Sequence, residues 1–211
     1  MIMKGRGRFI TLEGGEGVGK STQIRALAAA LRERGLTVVE TREPGGSRGA
    51  EAIRELLLHS EGDAWSPRAE ALLFAAARSD HVSRVITPAL EAGQWVLCDR
   101  FIDSTRAYQG GGSGLSDEDI MTLHRIGSEA LLPDRTLLLR LDVDVAEARR
   151  SARTLERADR FEDRQAAFHT KVVAAFDRIA EAEPQRIRRI DADGQPDEVT
   201  GRLLAALADL L

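Results

Sequence analysis

A glycine-rich stretch near the start of the chain has the residue types that bind a polyphosphate. Residues 14–22 read GGEGVGKST and fit the P-loop pattern G-x-x-x-x-G-K-[ST]. Glycine lets successive backbone N–H groups face one anion, Lys20 adds a mobile positive charge, and the Ser21 hydroxyl is a ligand for Mg²⁺. We predict a polyphosphate-binding loop, called the glycine loop below, made of Gly14, Gly15, Glu16, Gly17, Val18, Gly19, Lys20, Ser21 and Thr22.

The sequences on either side of the glycine loop indicate a strand and a helix. Residues 8–13 form an apolar run that is typical of a buried strand. After the loop, apolar residues recur at helical spacing, at Ile24, Leu27, Ala28 and Leu31. A second strand over residues 37–41 then implies parallel pairing. A glycine turn that binds nothing is the alternative for the loop, but the Gly-Lys-Ser ending between a strand and a helix disfavours it.

The rest of the chain continues this alternation of strands and helices. Further strands are predicted over residues 95–98, 136–142 and 187–191. Further helices are predicted over about 48–58, 67–86, 117–130 and 164–181, and from residue 196 onward. We therefore predict an α/β fold, a three-layer sandwich with a five-stranded parallel sheet flanked by helices, in a single domain over residues 1–211.

The helix predicted over residues 67–86 carries an aromatic ring and a guanidinium one turn apart. Phe74 and Arg78 share a face, so they could stack on a base and hydrogen-bond its edge. From spacing alone, however, a core phenylalanine and a solvated arginine are favoured. Pro88 is expected to break or kink the helix. Its buried face is predicted to contain Leu72, Leu73, Ala76 and Ala77.

Charged residues follow two predicted strands at the edge where open α/β sheets bind their ligands. Asp99 ends the third strand, where Mg²⁺ and its waters need an anion, and Arg100 is predicted to clamp a phosphate. An ion pair between neighbours at the strand end is the alternative. Arg42 opens a loop containing Pro44 and two glycines, for which we favour substrate contact over a simple connecting turn.

Two further segments offer polar groups. Residues 103–112 carry hydroxyls, an amide and a phenol before a glycine run that we expect to be flexible, although an ordinary polar helix start fits equally well. Five arginines fall within residues 149–160. We favour a lid over about 149–162 whose arginines close over phosphates, and a solvated helix face paired with nearby acidic residues is the alternative.

Composition limits the classes of partner. The 30 basic and 34 acidic residues give a net charge of −4, so bulk electrostatics favour neither a nucleic-acid nor a membrane partner. A single cysteine, Cys98, suggests a reducing compartment, and no apolar run approaches 18 residues, so we expect a cytoplasmic protein. The four histidines have no metal-ligand spacing, and we assign them no role. The chain contains no asparagine, which excludes the Asn-Lys-x-Asp motif of a GTPase switch.

Together these motifs resemble the bacterial thymidylate kinases over nearly the whole chain. The resemblance rests on the glycine loop with its internal Glu16, the TREPGGS loop at 41–47, Phe74 with Arg78, the DRF triplet at 99–101, the segment 104–112, and the DRFE sequence at 159–162. A P-loop alone indicates only a nucleotide. The resemblance implies transfer of the γ-phosphoryl group of ATP to dTMP with Mg²⁺, and it implies a homodimer. Another nucleoside-monophosphate kinase, differing in its base pocket, is the rival interpretation.

The resemblance also implies roles for individual residues, including catalytic ones for Lys20, Arg100 and Glu16. Phe74 would stack on thymine and Arg78 would bond the base edge, which reverses the expectation from spacing. The other residues implied to bind dTMP are Glu16 at the sugar hydroxyl, Arg42 and Arg100 at the phosphate, and Ser104, Thr105, Tyr108 and Gln109 around base and sugar.

One branch of the family carries a catalytic arginine inside the glycine loop, and the other takes it from the lid. This chain has Gly17 at that loop position and an arginine-rich lid, so it resembles the second branch. Within the lid, Arg153 is implied as the transfer arginine and Arg149 as the residue that stacks on adenine. Ser21 and Asp99 are the implied metal contacts.

Overall fold

Five parallel strands form one sheet at the centre of the protein. The computed structural model describes residues 6–60, 64–142, 145 and 166–211. The strands are β1 Phe9–Glu13, β2 Val38–Arg42, β3 Trp95–Asp99, β4 Arg135–Arg140 and β5 Ile187–Asp191. Their spatial order is β2-β3-β1-β4-β5, and every neighbouring pair is parallel. The predicted five-stranded parallel sheet is confirmed.

Helices cover both faces of this sheet. They are α1 Lys20–Glu33, α2 Arg48–Leu58, α3 Pro67–His81, α4 Thr87–Glu91, α5 Ile102–Thr105, α6 Asp117–Ser128, α7 Ala166–Ala182 and α8 Pro196–Ala205. The predicted start of the third helix is confirmed, since Ser66 accepts a hydrogen bond from the backbone of Ala69 and Pro67 occupies the first turn. In the part of the chain that the structure describes, no helix combines the length and the apolar character needed to cross a membrane.

Strand register brings three loops to one edge of the sheet. Asp99 at the end of β3 is paired with Leu12 of β1 on one side and with Arg42 of β2 on the other. The chain therefore leaves β1, β2 and β3 at the same level. The glycine loop, the loop after Arg42 and the turn at Arg100 consequently lie side by side, as expected for a ligand edge.

The hydrophobic core lies on both sides of the sheet. On one side, Leu27 and Leu31 of α1 pack with Leu203 of α8 against strand residues. On the other side, Phe9 and Phe101 meet edge to face with ring centroids 4.8 Å apart. Phe101 directly follows Arg100, so this aromatic pair anchors the turn that carries the arginine.

The predicted buried face of α3 is confirmed at Ala77, which is 2% exposed, but is wrong at Leu72 and Ala76. Leu72 is 55% exposed and Ala76 is also exposed. The buried side chains of this helix are Glu70, Ala71, Ala77, Arg78 and His81. Three of these five are polar or charged, and each hydrogen-bonds another buried group. An apolar periodicity does not detect such a face, because its polar members are paired inside the protein.

The end of the long helix differs from the predicted break. The helical path continues past His81 through a π-helical turn over Val82–Ile86 and then through α4. Thr87 donates its backbone N–H to the carbonyl of Val82, five residues earlier. Pro88 has no N–H, and its ring would crowd the carbonyl of the preceding turn in a regular helix. The wider turn relieves this conflict without a break.

The glycine run expected to be flexible is instead a packed helix. Residues Arg106–Gly112 form a second π-helical segment that lies against α7. A Cβ atom on Gly111 would lie 2.3 Å from the Cβ of Ala175, and one on Gly112 would lie 2.4 Å from the ring of Phe168. These glycines therefore permit a close approach of two helices, which the sequence reading took for mobility.

Replacing Gly111 by alanine should lower the free energy of unfolding by roughly 1–3 kcal/mol, because the added methyl overfills the contact with Ala175. Gly201 is the matched control, since it lies inside α8 with nothing within 4 Å of an added Cβ. Gly201→Ala should raise stability by about 0.5–1 kcal/mol. Urea unfolding of both variants checks this, and equal effects would contradict the packing argument.

His124 of α6 should make stability depend on pH. Its burial, and then the positive charge of Arg78, lower its pKa from 6.5 to about 4, while its Nε2 lies 2.7 Å from the carbonyl of Leu131. Because the unfolded chain binds the proton more tightly, stability is lost as the pH falls through this window, by up to about 3 kcal/mol. Urea midpoints at pH 7 and pH 4.5 should converge in His124→Gln, which does not titrate. An unchanged pH difference would refute this role.

Candidate active site

A cleft of about 280 Å³ opens at the carboxyl edge of the sheet. The structure brings fourteen of the predicted site residues to its lining: Glu16, Gly17, Gly19, Lys20, Ser21, Arg42, Phe74, Arg78, Asp99, Arg100, Ser104, Thr105, Tyr108 and Gln109. The glycine-loop residues Gly14, Gly15, Val18 and Thr22 lie outside the lining. Arg149, Arg153 and the lid predicted over about 149–162 lie outside the described residues.

The glycine loop holds its lysine against its own backbone. Lys20 Nζ donates hydrogen bonds to the carbonyls of Gly14 at 3.1 Å and Gly15 at 2.7 Å. Val18 is 6% exposed and packs in the core, so its side chain attaches the glycine loop to the core. Burial, and then the charge of Arg100, lower the pKa of Lys20. The ammonium group of Lys20 therefore lies at the N-terminus of α1, where anions bind favourably.

The guanidinium of Arg100 forms hydrogen bonds with several residues around the cleft. Its Nη2 lies 2.5 Å from Glu16 Oε1, and its Nη1 donates to Ser104 Oγ at 3.0 Å and to the carbonyl of Gly14 at 3.1 Å. The hydroxyl of Tyr108 donates to the same oxygen of Glu16 at 3.0 Å. Burial alone would raise the pKa of Glu16, but the charges of Arg100 and Lys20 lower it to about 2. Glu16 is therefore an ionised hydrogen-bond acceptor at neutral pH.

A carboxylate and a hydroxyl stand together beside Lys20. Ser21 Oγ donates to Asp99 Oδ2 at 3.1 Å, while the buried Oδ1 of Asp99 has no hydrogen-bond partner in the described residues. A buried oxygen without a donor suits a cation or its bound water. The described residues contain no group of three or more His, Cys, Asp or Glu side chains that could hold a metal by themselves. The pair fits a metal that is shared with a phosphate.

Glu13, which the sequence reading left in a plain strand, supports the turn at Arg100. Its carboxyl accepts the backbone N–H of Phe101 at 2.7 Å, the N–H of Ser104 at 3.2 Å and the Ser104 hydroxyl at 2.6 Å. Arg100 has φ 70°, a left-handed backbone that costs a non-glycine residue energy. Burial and the nearby charge of Asp103 raise the pKa of Glu13 to about 7.

The far end of the cleft carries an aromatic ring and a buried arginine. Arg78 is 3% exposed, donates from Nε to Glu43 at 2.8 Å and from Nη2 to Thr105 at 2.8 Å, and lies over the ring of Phe101. The expectation from spacing that Arg78 is solvated is wrong, because Glu43 supplies a buried counter-charge. Phe74 is half-buried at the cleft wall and packs against the core cluster that contains Tyr108 and Phe176.

The fold and the sequence of this chain are both similar to those of known proteins. A crystal structure of thymidylate kinase from Ehrlichia chaffeensis superposes with a TM-score of 0.77 at 33% identity, covering 96% of this chain and 99% of that one. The family model for thymidylate kinase matches residues 12–202. The chain belongs to the thymidylate kinase family. Curated thymidylate kinases from Rhizorhabdus wittichii and Bradyrhizobium diazoefficiens are 67% and 52% identical, over 97% and 98% of this chain and 99% and 91% of theirs.

The family and fold inferred from the motifs are thus confirmed, and thymidylate kinases are phosphotransferases. The cleft of this thymidylate kinase also contains residues that sequence reasoning missed. They are Glu43, Arg54, Leu58 and Phe101. Pro44, in the loop for which substrate contact was favoured, also lines the cleft. Arg54 and Leu58 lie one turn apart on α2, so a helical projection of residues 48–58 could have placed them together. Glu43 carried no such signal, because its partner Arg78 is 35 residues away.

Arg42 stands at the rim of the thymidylate kinase cleft. Its side chain is 55% exposed and lies 3.1 Å from Glu51, which also accepts the backbone N–H of Gly46 at 2.9 Å. The ion pair is solvent-accessible and therefore weak. A phosphate that entered the cleft could recruit Arg42 from this pair at little cost.

Proposed function

We propose that the chain transfers the γ-phosphoryl group of ATP to dTMP, giving dTDP and ADP. One observation carries this proposal. A single cleft joins the glycine loop with Lys20 to a pocket walled by Phe74 and Arg78, and Arg100 contacts the loop and Tyr108 between them. ATP phosphates on the loop and a nucleoside monophosphate in the pocket would then face each other across Arg100.

The groups along this cleft suit a transfer that needs no general base. The phosphate oxygen of dTMP is already an anionic nucleophile, so positioning and charge neutralisation supply most of the catalysis. Lys20 and Arg100 supply positive charge, and Glu16 accepts a hydrogen bond from a sugar hydroxyl. Ser21 and Asp99 would hold Mg²⁺, whose contribution when bound is to neutralise the phosphate oxygens.

The pocket end suits a pyrimidine base that carries a carbonyl group. Phe74 offers a ring face for stacking, and Arg78 is a hydrogen-bond donor that accepts nothing. Ser104, Thr105, Tyr108 and Gln109 supply further polar groups for base and sugar. The guanidinium carbon of Arg78 lies 5.1 Å from the centroid of the Phe101 ring, over its face.

The lid belongs to this proposal on the strength of the sequence. Within the single domain, residues of about 149–162 would close over the phosphates, with Arg153 as the transfer arginine and Arg149 stacked on adenine. Gly17 leaves the glycine loop without an arginine of its own, which supports a lid that supplies one. Limited proteolysis around 150–160 should become slower when a bisubstrate nucleotide is added.

A cytoplasmic homodimer completes the proposal. The exposed apolar residues Leu56, Leu72 and Ile126 are 49%, 55% and 72% exposed. They lie on α2, α3 and α6, which pack side by side. A second copy would cover them. Sedimentation velocity should give the mass of two chains, and Ile126→Glu should shift the protein to one chain. A wild-type protein that sediments as one chain would contradict the dimer.

The proposed reaction is tested by an ADP-release assay with ATP and Mg²⁺ and a panel of acceptors. The panel contains dTMP, dUMP, dCMP, dGMP, AMP and UMP. Turnover with dTMP, and with dUMP as a distant second, is the expected result. Preference for another acceptor would overturn the base-pocket assignment while leaving the kinase fold, and no turnover with any acceptor would overturn the function.

A further inference from the structure

A chain of buried hydrogen bonds runs behind the base pocket. Thr41 Oγ1 lies 2.7 Å from His81 Nε2, and His81 Nδ1 lies 3.0 Å from Glu43 Oε1. The other oxygen of Glu43 accepts the Nε of Arg78 at 2.8 Å, and Arg78 Nη2 donates to Thr105 at 2.8 Å. His81 is 0%, Arg78 3% and Glu43 6% exposed. The chain joins β2, α3 and α5, and its three central members, Arg78, Glu43 and His81, are buried.

The direction of these hydrogen bonds follows from the chemistry of the groups. A carboxylate only accepts, so both Arg78 and His81 donate to Glu43. His81 then carries a proton on Nδ1, and its Nε2 is hydrogen-bonded to the hydroxyl of Thr41. Each oxygen of Glu43 has one donor, and the guanidinium of Arg78 is fixed at two of its three nitrogens.

The loop after β2 closes over this chain. A Cβ atom on Gly46 would lie 2.5 Å from both His81 Nε2 and Thr41 Oγ1, and Gly46 has φ 86°. Glycine at this position therefore lets the backbone rest directly on the imidazole. Because no space is left beside the ring, His81 keeps one orientation and Glu43 keeps one donor on each oxygen.

We infer that Glu43 and His81 are positioning residues that orient Arg78 toward the acceptor base. The inference rests on the proposed base-binding role of Arg78. With Nε and Nη2 engaged, Nη1 is the nitrogen left without a hydrogen-bond partner in the described residues, and Arg78 lines the cleft. A donor held in one place matches a ring carbonyl and opposes an amino group at the same position of a pyrimidine.

A matched pair of substitutions at His81 tests this positioning role. The amide nitrogen of Asn reaches the place of Nδ1, so His81→Asn keeps a donor for Glu43 and loses the contact with Thr41. The amide of Gln reaches the place of Nε2, so His81→Gln keeps the contact with Thr41 and loses the donor. We expect the KM for dTMP to rise roughly tenfold in His81→Gln and by less than about threefold in His81→Asn.

Other kinetic constants separate positioning from general damage. The KM for ATP and the kcat at saturating dTMP should stay within about twofold of wild type in both variants, because Lys20 and Arg100 are untouched. His59→Gln is the control, since its side chain is 58% exposed and pairs with Glu55 on the same helix face, away from Glu43 and Arg78 in sequence. If both His81 variants fold poorly, the KM for dTMP of Glu43→Gln tests the same role. Glutamine has the shape of glutamate but offers one hydrogen-bond acceptor oxygen instead of two.

Two failures can be told apart. If Arg78→Ala leaves the KM for dTMP unchanged, the proposed base pocket is wrong, and the positioning role falls with it. If Arg78→Ala raises that KM but His81→Gln and Glu43→Gln do not, the pocket stands and the positioning role alone is overturned. Equal rises in His81→Gln and His81→Asn would also overturn it, because the donor to Glu43 would then not be the cause.

Discussion

Replacing Lys20 by alanine should lower kcat by roughly a hundredfold to a thousandfold, the usual cost of removing one charged donor from a developing transition state. The dissociation constant for dTMP should change by less than about threefold, because Lys20 contacts the glycine-loop carbonyls and not the base pocket. Rapid-quench kinetics gives the first quantity, and calorimetry with dTMP alone gives the second.

The buried position of Lys20 explains why its loss should affect the reaction more than the fold. Its ammonium is held by the carbonyls of Gly14 and Gly15, and it can exchange these bonds for phosphate oxygens without moving the backbone. Lys171 is the matched control, an exposed lysine on α7 whose removal should leave kcat unchanged. Equal losses of kcat and of dTMP affinity in Lys20→Ala would contradict this division of roles.

The sequence was most informative where chemistry depends on residues that are close along the chain. Three motifs illustrate this: the glycine loop, Asp99 with Arg100, and Phe74 with Arg78. Within each motif the residues lie only a few positions apart along the chain. The ends of β1 and β3 are adjacent in the sheet, so two such motifs meet in one cleft. Local spacing and the rule for parallel sheets are enough to predict that meeting.

The sequence was least informative where a partner lies far along the chain or on a face that hydropathy misreads. Glu43 and His81 are 38 residues apart, and neither has an apolar neighbour pattern that marks it as buried. The glycines at 110–112 are ambiguous for the same reason, since the side chains that fill the space beside them, Ile120, Ala175 and Phe168, lie on other helices. The burial of the Glu43–His81 pair and the packing of the glycines both depend on residues far along the chain. The sequence around each position therefore does not indicate its environment.

Replacing Arg100 by methionine should lower kcat/KM for dTMP by roughly a thousandfold, because a clamp is lost and a repulsive charge is exposed. Glu16 lies 2.5 Å from Arg100 in the intact site, and the arginine charge keeps its pKa near 2. Without Arg100, an ionised Glu16 would face the phosphate of dTMP. Arg84→Met, at an exposed arginine paired with Asp80, is the control and should behave as wild type.

The two contributions can be separated with a double variant. The double variant Arg100→Met with Glu16→Gln still lacks the arginine that contacts the phosphate, but it also lacks the repulsive charge of Glu16. If repulsion is part of the loss, the double variant should recover about tenfold in kcat/KM over Arg100→Met, a coupling within the range for residues in direct contact. A double variant as poor as the single one would mean that Glu16 does not repel the acceptor phosphate. Arg100 would then act only through its own contact with that phosphate.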